Sequence, residues 1–383
     1  MAFLRNLLAT LVGLTIFSLV GFFLIVGIIA SASADEAPIV KSNSVLFFPM
    51  TGILEDKAVD DPFVTAFGDG PQPQSLLDII YAINYAKDDD RIKGIYIEPM
   101  YMAGSYASLQ EVRDALLDFK ESGKFVYAYG EYVSEANYYV ASVADSLFLY
   151  PTGGSEFNGL HVNVTFWKGM FDKLDIRPEI FRVGEFKSYV EPYLRKDMSE
   201  ENRLQYSELL NSMYGTYLDN LSGSIQIPVE KLVELSDEMK VNMPKDAADV
   251  GLIHKVGFED ELKSVMKEKL GQSESKDLRT MKMNKYIQAI ESEKNYSSNR
   301  VAVIVAEGDI VMGGDEGIIG ETFAKEIRKA RNNKKVKAIV MRVNSGGGSM
   351  TASDMIWREL MLTKGEKPII ASMGGAAASG GYY

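Results

Sequence analysis

Ser379 lies in Ala376-Ala377-Ala378-Ser379-Gly380-Gly381-Tyr382, where small neighbours let a hydroxyl stand exposed while backbone comes close to a substrate. The stretch nears the G-x-S-x-G turn of nucleophilic serines, with Ala377 replacing the first glycine. Taken alone, it reads more readily as close helix packing on small residues. An α/β-hydrolase assignment fails, because that order requires Asp and then His after the serine, and neither follows. Asn344-Ser345-Gly346-Gly347-Gly348-Ser349 forms a second segment of interest. Its consecutive glycines turn N–H groups toward one point, which suits a phosphate or an oxyanion. An ordinary glycine-rich turn accounts for it equally. The third glycine of G-x-G-x-x-G falls on Thr351, and the Gly-Lys-Ser/Thr ending of a P-loop is missing, so neither nucleotide fingerprint is met.

A serine nucleophile needs a base. His161 and His254 are the two histidines, and neither segment resembles a catalytic loop, so structural or surface roles are expected. Lysine serves instead where burial lowers its pKa. Moving that pKa from about 10.4 to about 7.5 costs roughly 4 kcal/mol, which demands a dry site. Lys187 stands out, flanked by aromatics in Val183-Gly184-Glu185-Phe186-Lys187-Ser188-Tyr189-Val190-Glu191-Pro192, after a short strand expected over 179–183. Composition alone reads it as an exposed loop lysine.

The elements that must position these residues are written twice. Aligning the chain with itself at an offset of 244 positions matches 76–139 with 320–383 without a gap. Ile83, Lys93, Gly104, Ser105, Gly130 and Tyr138 meet Ile327, Lys337, Gly348, Ser349, Gly374 and Tyr382. Each copy reads as a strand (45–48, 301–305), a helix (76–86, 322–330), a buried strand (92–97, 336–343), a helix (108–120, 352–362) and a strand (125–129, 368–373). Strands alternating with helices, without hairpin signals, argue an α/β fold with parallel pairing. Helical spacing also covers 200–220, 229–238 and 259–270, and a Pro/Gly/Asp-rich loop covers 60–74. Ser379 falls opposite Glu135, and Gly346 and Gly347 fall opposite Met102 and Ala103, so the first copy lacks both candidate motifs. The expected organisation is 1–34 as anchor, 44–270 as first unit, 271–298 as connector and 299–383 as second unit, incomplete at Tyr383.

Composition closes off other functions. The 383 residues carry 41 Lys plus Arg against 53 Asp plus Glu, a formal charge of −12 that repels phosphate backbones, so nucleic-acid binding is not expected. Cysteine is absent, which removes disulfides and thiolate chemistry. Residues 7–30 are predominantly apolar and uncharged, and as a helix reach roughly 36 Å, enough to cross a bilayer core. Arg5 before the run, with Asp35 and Glu36 after it, puts the short N-terminus in the cytoplasm and the rest outside. A retained anchor is expected, although Ala32-Ser33-Ala34 also fits a cleavage site.

Anchor, repeats and motif order together resemble the long, tandem-repeat signal peptide peptidases of family S49, serine peptidases of the Clp protease/crotonase-like superfamily. The resemblance covers essentially the whole chain. Residues 183–192 resemble the family's lysine motif, which implies Lys187 as base. Residues 344–349 resemble its Asn-Ser-Pro-Gly-Gly-Ser oxyanion loop, with Gly346 where proline is usual. Residues 373–382 resemble its nucleophile motif and imply Ser379, while 245–256 resemble the closing segment of one superfamily unit. The resemblance thus implies tandem units of parallel strands with flanking helices behind one transmembrane helix. Neutral Lys187 would activate Ser379, with an oxyanion hole assigned to the N–H groups of Gly347 and Gly380 and no metal or cofactor. It further implies peptide substrates such as cleaved signal peptides, a ring-like homo-oligomer of four chains, and the outer side of a bacterial cytoplasmic membrane. Two other classes compete: a crotonase-like acyl-CoA enzyme, and a non-catalytic, membrane-tethered assembly protein.

Overall fold

The computed structural model describes residues 2–32, 38–58, 73–293 and 297–383. Helix α1 (Ala2–Ala32) is exposed along residues 2–20, and its stretch Ala2–Leu24 is long and apolar enough to cross a membrane. Ser33 and Ala34 of the cleavage-like site, Asp35 and Glu36, and residues 60–72 of the Pro/Gly/Asp-rich loop lie outside the described residues.

The first unit runs β1 (Ser44–Glu55), β2 (Pro73–Ser75), α2 (Leu76–Asp88), β3 (Ile92–Ala103), α3 (Tyr106–Lys120), β4 (Phe125–Val133), α4 (Glu135–Ala141) and β5 (Ser146–Ser155). A helical stretch follows: α5 (Lys168–Lys173), α6 (Glu191–Leu194), α7 (Glu200–Ile225), α8 (Val229–Asp237) and α9 (Pro244–Asp249). Then come β6 (Lys255–Val256), α10 (Glu259–Lys269), β7 (Thr280–Lys282) and α11 (Met283–Ser292). The second unit runs β8 (Arg300–Glu307), β9 (Ile310–Val311), β10 (Ile318–Ile319), α12 (Gly320–Asn332), β11 (Val336–Ser345), α13 (Met350–Lys364) and β12 (Ile369–Ala377), ending in a 3₁₀ turn, Ser379–Gly381.

The first sheet has the order β2-β1-β3-β4-β5-β6, with β7 pairing on β1, and all its pairs are parallel. The second unit repeats the central order as β8-β11-β12, again parallel. Pairs α2/α12, α3/α13 and β4/β12 begin and end 244 residues apart, so the sequence offset is also the offset of the elements. Serines open the shared turns. Ser105 Oγ accepts from Ser108 N–H at 3.0 Å to cap α3, and Ser349 Oγ accepts from Ala352 N–H at 3.3 Å to cap α13.

Parallel strands covered on both faces need apolar residues on both. One face of the first sheet, with Leu46, Phe48, Ile97 and Val126, packs on the α2–α4 side. The other buries Tyr96, Phe125, Tyr127 and Phe148 with Leu262 and Met266 of α10. Segment 271–298, read from sequence as a connector, adds β7 to the first sheet and packs Tyr286 and Ile290 of α11 into its core. Residues 179–183 differ from expectation. They form no strand, because no strand edge pairs with them, and they run as irregular chain from α5 to the 3₁₀ turn Ser188–Val190.

Candidate active site

The glycine loop leaves β11 and is stitched onto β9. Ile310 N–H donates to Gly347 O at 2.9 Å, and Ser349 N–H donates to Ile310 O at 2.8 Å. Ser345, at the end of β11, is buried; its hydroxyl donates to Gly308 O at 2.6 Å and accepts from Gly347 N–H at 3.1 Å. Gly347 has φ +99°, and a Cβ there would stand 2.7 Å from Ser379 Cβ and 2.8 Å from Gly380 N. Only glycine fits a position that is both left-handed and this close to neighbouring backbone.

The serine turn meets this loop from β12. Ala378 N–H donates to Ser345 O at 3.0 Å, and Gly381 N–H donates to Ala378 O at 2.8 Å. Between them Ser379 takes φ +50°, a left-handed conformation that costs an L-residue about 1–2 kcal/mol. Its side chain is exposed, and Gly380 N–H has no partner among the described residues. The structure therefore brings together three of the four residues singled out in the sequence: Ser379, Gly380 and Gly347. Gly380 has an open donor, whereas the Gly347 donor is held by Ser345 Oγ.

Lys187 belongs to the first unit's irregular segment. Arg182 Nη1 donates to its carbonyl at 3.3 Å, and Gln205 Nε2 of α7 donates to Ser188 Oγ at 3.2 Å. Glu191 pins the segment from beneath. Its buried carboxylate accepts from Ser199 N–H, Ser199 Oγ and Asn202 Nδ2 at 3.1, 2.5 and 3.1 Å. Burial alone would raise the Glu191 pKa, but these bonds outweigh it and hold it below the usual value. The dry surroundings expected for Lys187 are not formed in this chain. Lys187 is exposed, as are its apolar neighbours Phe181 at 94% and Tyr189 at 89%, and among the described residues no hydrogen bond joins its ammonium to Ser379.

Glu135 occupies the serine's place in the first copy. Its buried carboxylate accepts from Asn158 and Gly159 N–H at 3.0 and 2.9 Å, and burial raises its pKa despite those bonds. His254 is structural, as expected: Nδ1 accepts from Leu147 N–H at 3.0 Å, and burial lowers its pKa. His161 is exposed. Sequence reading missed Glu307, whose carboxylate accepts from Asn344 Nδ2 at 2.9 Å directly beneath the glycine loop. No local pattern marks it. Among the described residues no cluster of His, Cys, Asp or Glu could hold a metal ion.

Tandem parallel α/β units, with a left-handed serine turn seated on a glycine loop, define a class of two-unit α/β proteins with a candidate serine nucleophile. Residues 118–273 match the model of peptidase family S49. Protease 4 of Haemophilus influenzae is 32% identical over 404 aligned positions, covering 100% of this chain and 65% of that protein. Protease 4 of Salmonella typhi is 34% identical, covering 89% of this chain and 58% of its own length. The chloroplastic serine protease SPPA of Arabidopsis thaliana is 33% identical, with 90% and 51% covered. The chain is thus similar to peptidase family S49 over residues 118–273 and to these three proteases over most of its own length. It spans between 51% and 65% of the length of these relatives.

Proposed function

We propose that the protein is a membrane-anchored serine endopeptidase in which Ser379 is the nucleophile and Lys187 the general base. The observation that carries this reading is the seating of Gly347 against Ser379 and Gly380, with Ser379 in a left-handed turn and the Gly380 donor open. A left-handed turn at an exposed serine beside an open backbone donor is the arrangement a nucleophile requires. Neutral Lys187 takes the hydroxyl proton as Ser379 Oγ attacks a peptide carbonyl. Gly380 N–H, joined by Gly347 N–H once Ser345 Oγ yields it, stabilises the oxyanion, each donor contributing on the order of 3 kcal/mol. The proton passes from Lys187 to the leaving amine, and Lys187 then activates water against the acyl-enzyme.

The apolar collar of Phe181, Val183, Phe186 and Tyr189 must be covered for Lys187 to lose its charge. Assembly of four chains into a ring supplies that cover in this reading, with cleaved signal peptides and other membrane-proximal peptides as substrates. Helix α1 then holds the units on the outer side of a bacterial cytoplasmic membrane. The test is labelling of the full-length protein with a fluorophosphonate, which should modify wild type at Ser379 and leave Ser379→Ala unmodified. Absence of labelling in wild type, or equal labelling in the variant, sinks the reading.

A further inference from the structure

The two units meet on a buried polar seam that the serine chemistry does not itself use. Asp56, just past β1, is 1% exposed, and Arg342 in β11 is 3% exposed. Arg342 Nη2 donates to Asp56 Oδ1 at 2.8 Å, while Nη1 reaches Glu111 Oε1 of α3 at 2.7 Å and Ser372 Oγ of β12 at 3.0 Å. A second path runs beside it. Asp56 N–H donates to the Glu307 carboxylate at 3.2 and 3.0 Å, and that carboxylate accepts from Asn344 Nδ2 at 2.9 Å. Asn344 Oδ1 in turn accepts from Ala376 N–H at 3.1 Å, three residues before Ser379.

The last bond answers a local need. Register between β11 and β12 passes from Val343↔Met373 to Ser345↔Ala377, so Asn344 alone faces Gly374, Gly375 and Ala376. Such a bulge leaves an N–H without a ladder partner, and the Asn344 side chain supplies one. The bulge also lies against the first unit. A Cβ on Gly374 would stand 3.4 Å from Asp56 Oδ2, and one on Gly375 would stand 2.5 Å from Ser105 Cβ at the start of α3. The first copy has Met100 where the second has Asn344, so this device belongs to the serine-bearing copy.

We infer that Glu307 and Asn344 are positioning residues: through them the first unit, which lacks a serine of its own, sets the bulge that aims Ser379. This deepens the serine-peptidase reading and rests on it. The bond polarity makes a sharp test. Glu307→Gln keeps the shape, but its amide nitrogen then faces a donor on either side, the Asn344 amide in one orientation or Asp56 N–H in the other. Adding Asn344→Asp restores every donor–acceptor match and leaves the net charge unchanged.

In the full-length protein, the rate of fluorophosphonate labelling at Ser379 should fall about tenfold or more in Glu307→Gln, as expected for a displaced nucleophile. Peptide kcat should fall with it while KM stays within about twofold, and the double variant should recover to within about threefold of wild type. A single variant within about twofold of wild type, or a double variant no faster than the single, overturns the inference. If wild type itself is not labelled, the peptidase reading fails. Amide hydrogen exchange over 372–377 then decides the positioning: faster exchange in the single variant, reversed in the double, sustains it, and unchanged exchange overturns it.

Discussion

A left-handed backbone at Ser379 needs a compensating reason, and the Ser345–Ala378 hydrogen bond with the close approach of Gly347 provides its frame. Both Ser379→Ala and Ser379→Gly should be inactive, but glycine adopts this conformation freely, so the glycine variant should be the more stable of the two by about 1 kcal/mol. Chemical denaturation of both measures it. Gly346 offers the reverse case: it is outside the positive-φ set, a Cβ there meets nothing within 4 Å, and its N–H has no partner among the described residues. Gly346→Pro should therefore stabilise by about 0.4–1 kcal/mol without slowing Ser379 labelling, and lower stability would show that the loop's dihedral excludes the ring. Serine and glycine loop were legible in the sequence because small-residue patterns are local. The surroundings of Lys187 were not, because enclosure depends on what packs over Phe181 and Tyr189, and no sequence window carries that. Glu307 was invisible for a related reason: it matters only because a bulge brings Asn344 between it and Ala376.

At the scale of elements, the sequence offset reappears without slippage in α2/α12, α3/α13 and β4/β12, and a serine caps the N-terminus of both α3 and α13. Residues 179–183 mislead because a short apolar stretch forms a strand only when an edge is free to pair with it. The first copy's serine position also shows how an element changes use. Glu135 at the start of α4 holds residues 158 and 159 through its Oε2, while Oε1 is buried without a partner among the described residues. Burial raises its folded pKa above the unfolded value, so the folded state keeps the proton longer. The resulting stabilisation is complete below about pH 4.3 and is lost as pH rises through the folded pKa. Glu135→Gln removes that dependence while its oxygen can still accept from both N–H groups. Relative to wild type, the variant should gain stability between about pH 4 and pH 7, read as a pH series of melting temperatures. A constant difference across that range would mean that Glu135 titrates as it does when unfolded.

For the molecule as a whole, the question is what makes two copies of one fold act as a single body. Arg342 is held by carboxylates of the first unit; burial opposes its charge, but the bonds to Asp56 and Glu111 outweigh it and keep its pKa above the ordinary arginine value. Asp56 has one oxygen on Arg342 and the other buried without a partner among the described residues, so there the aspartate depends on this guanidinium. A buried ion pair adds little net stability against an apolar pair of equal volume, because desolvation offsets most of the attraction. Losing one partner is different, since the remaining charge stays buried and uncompensated. Arg342→Met should therefore cost roughly 3–5 kcal/mol and loosen the contact between units, whereas Arg342→Met with Asp56→Leu should recover most of it. Calorimetry of the two variants distinguishes a coupling seam from mere filling. The single variant should resolve two transitions where wild type shows one, and the double variant should merge them again. One unshifted transition in the single variant would mean that the seam is dispensable and that the units are coupled by apolar contact alone.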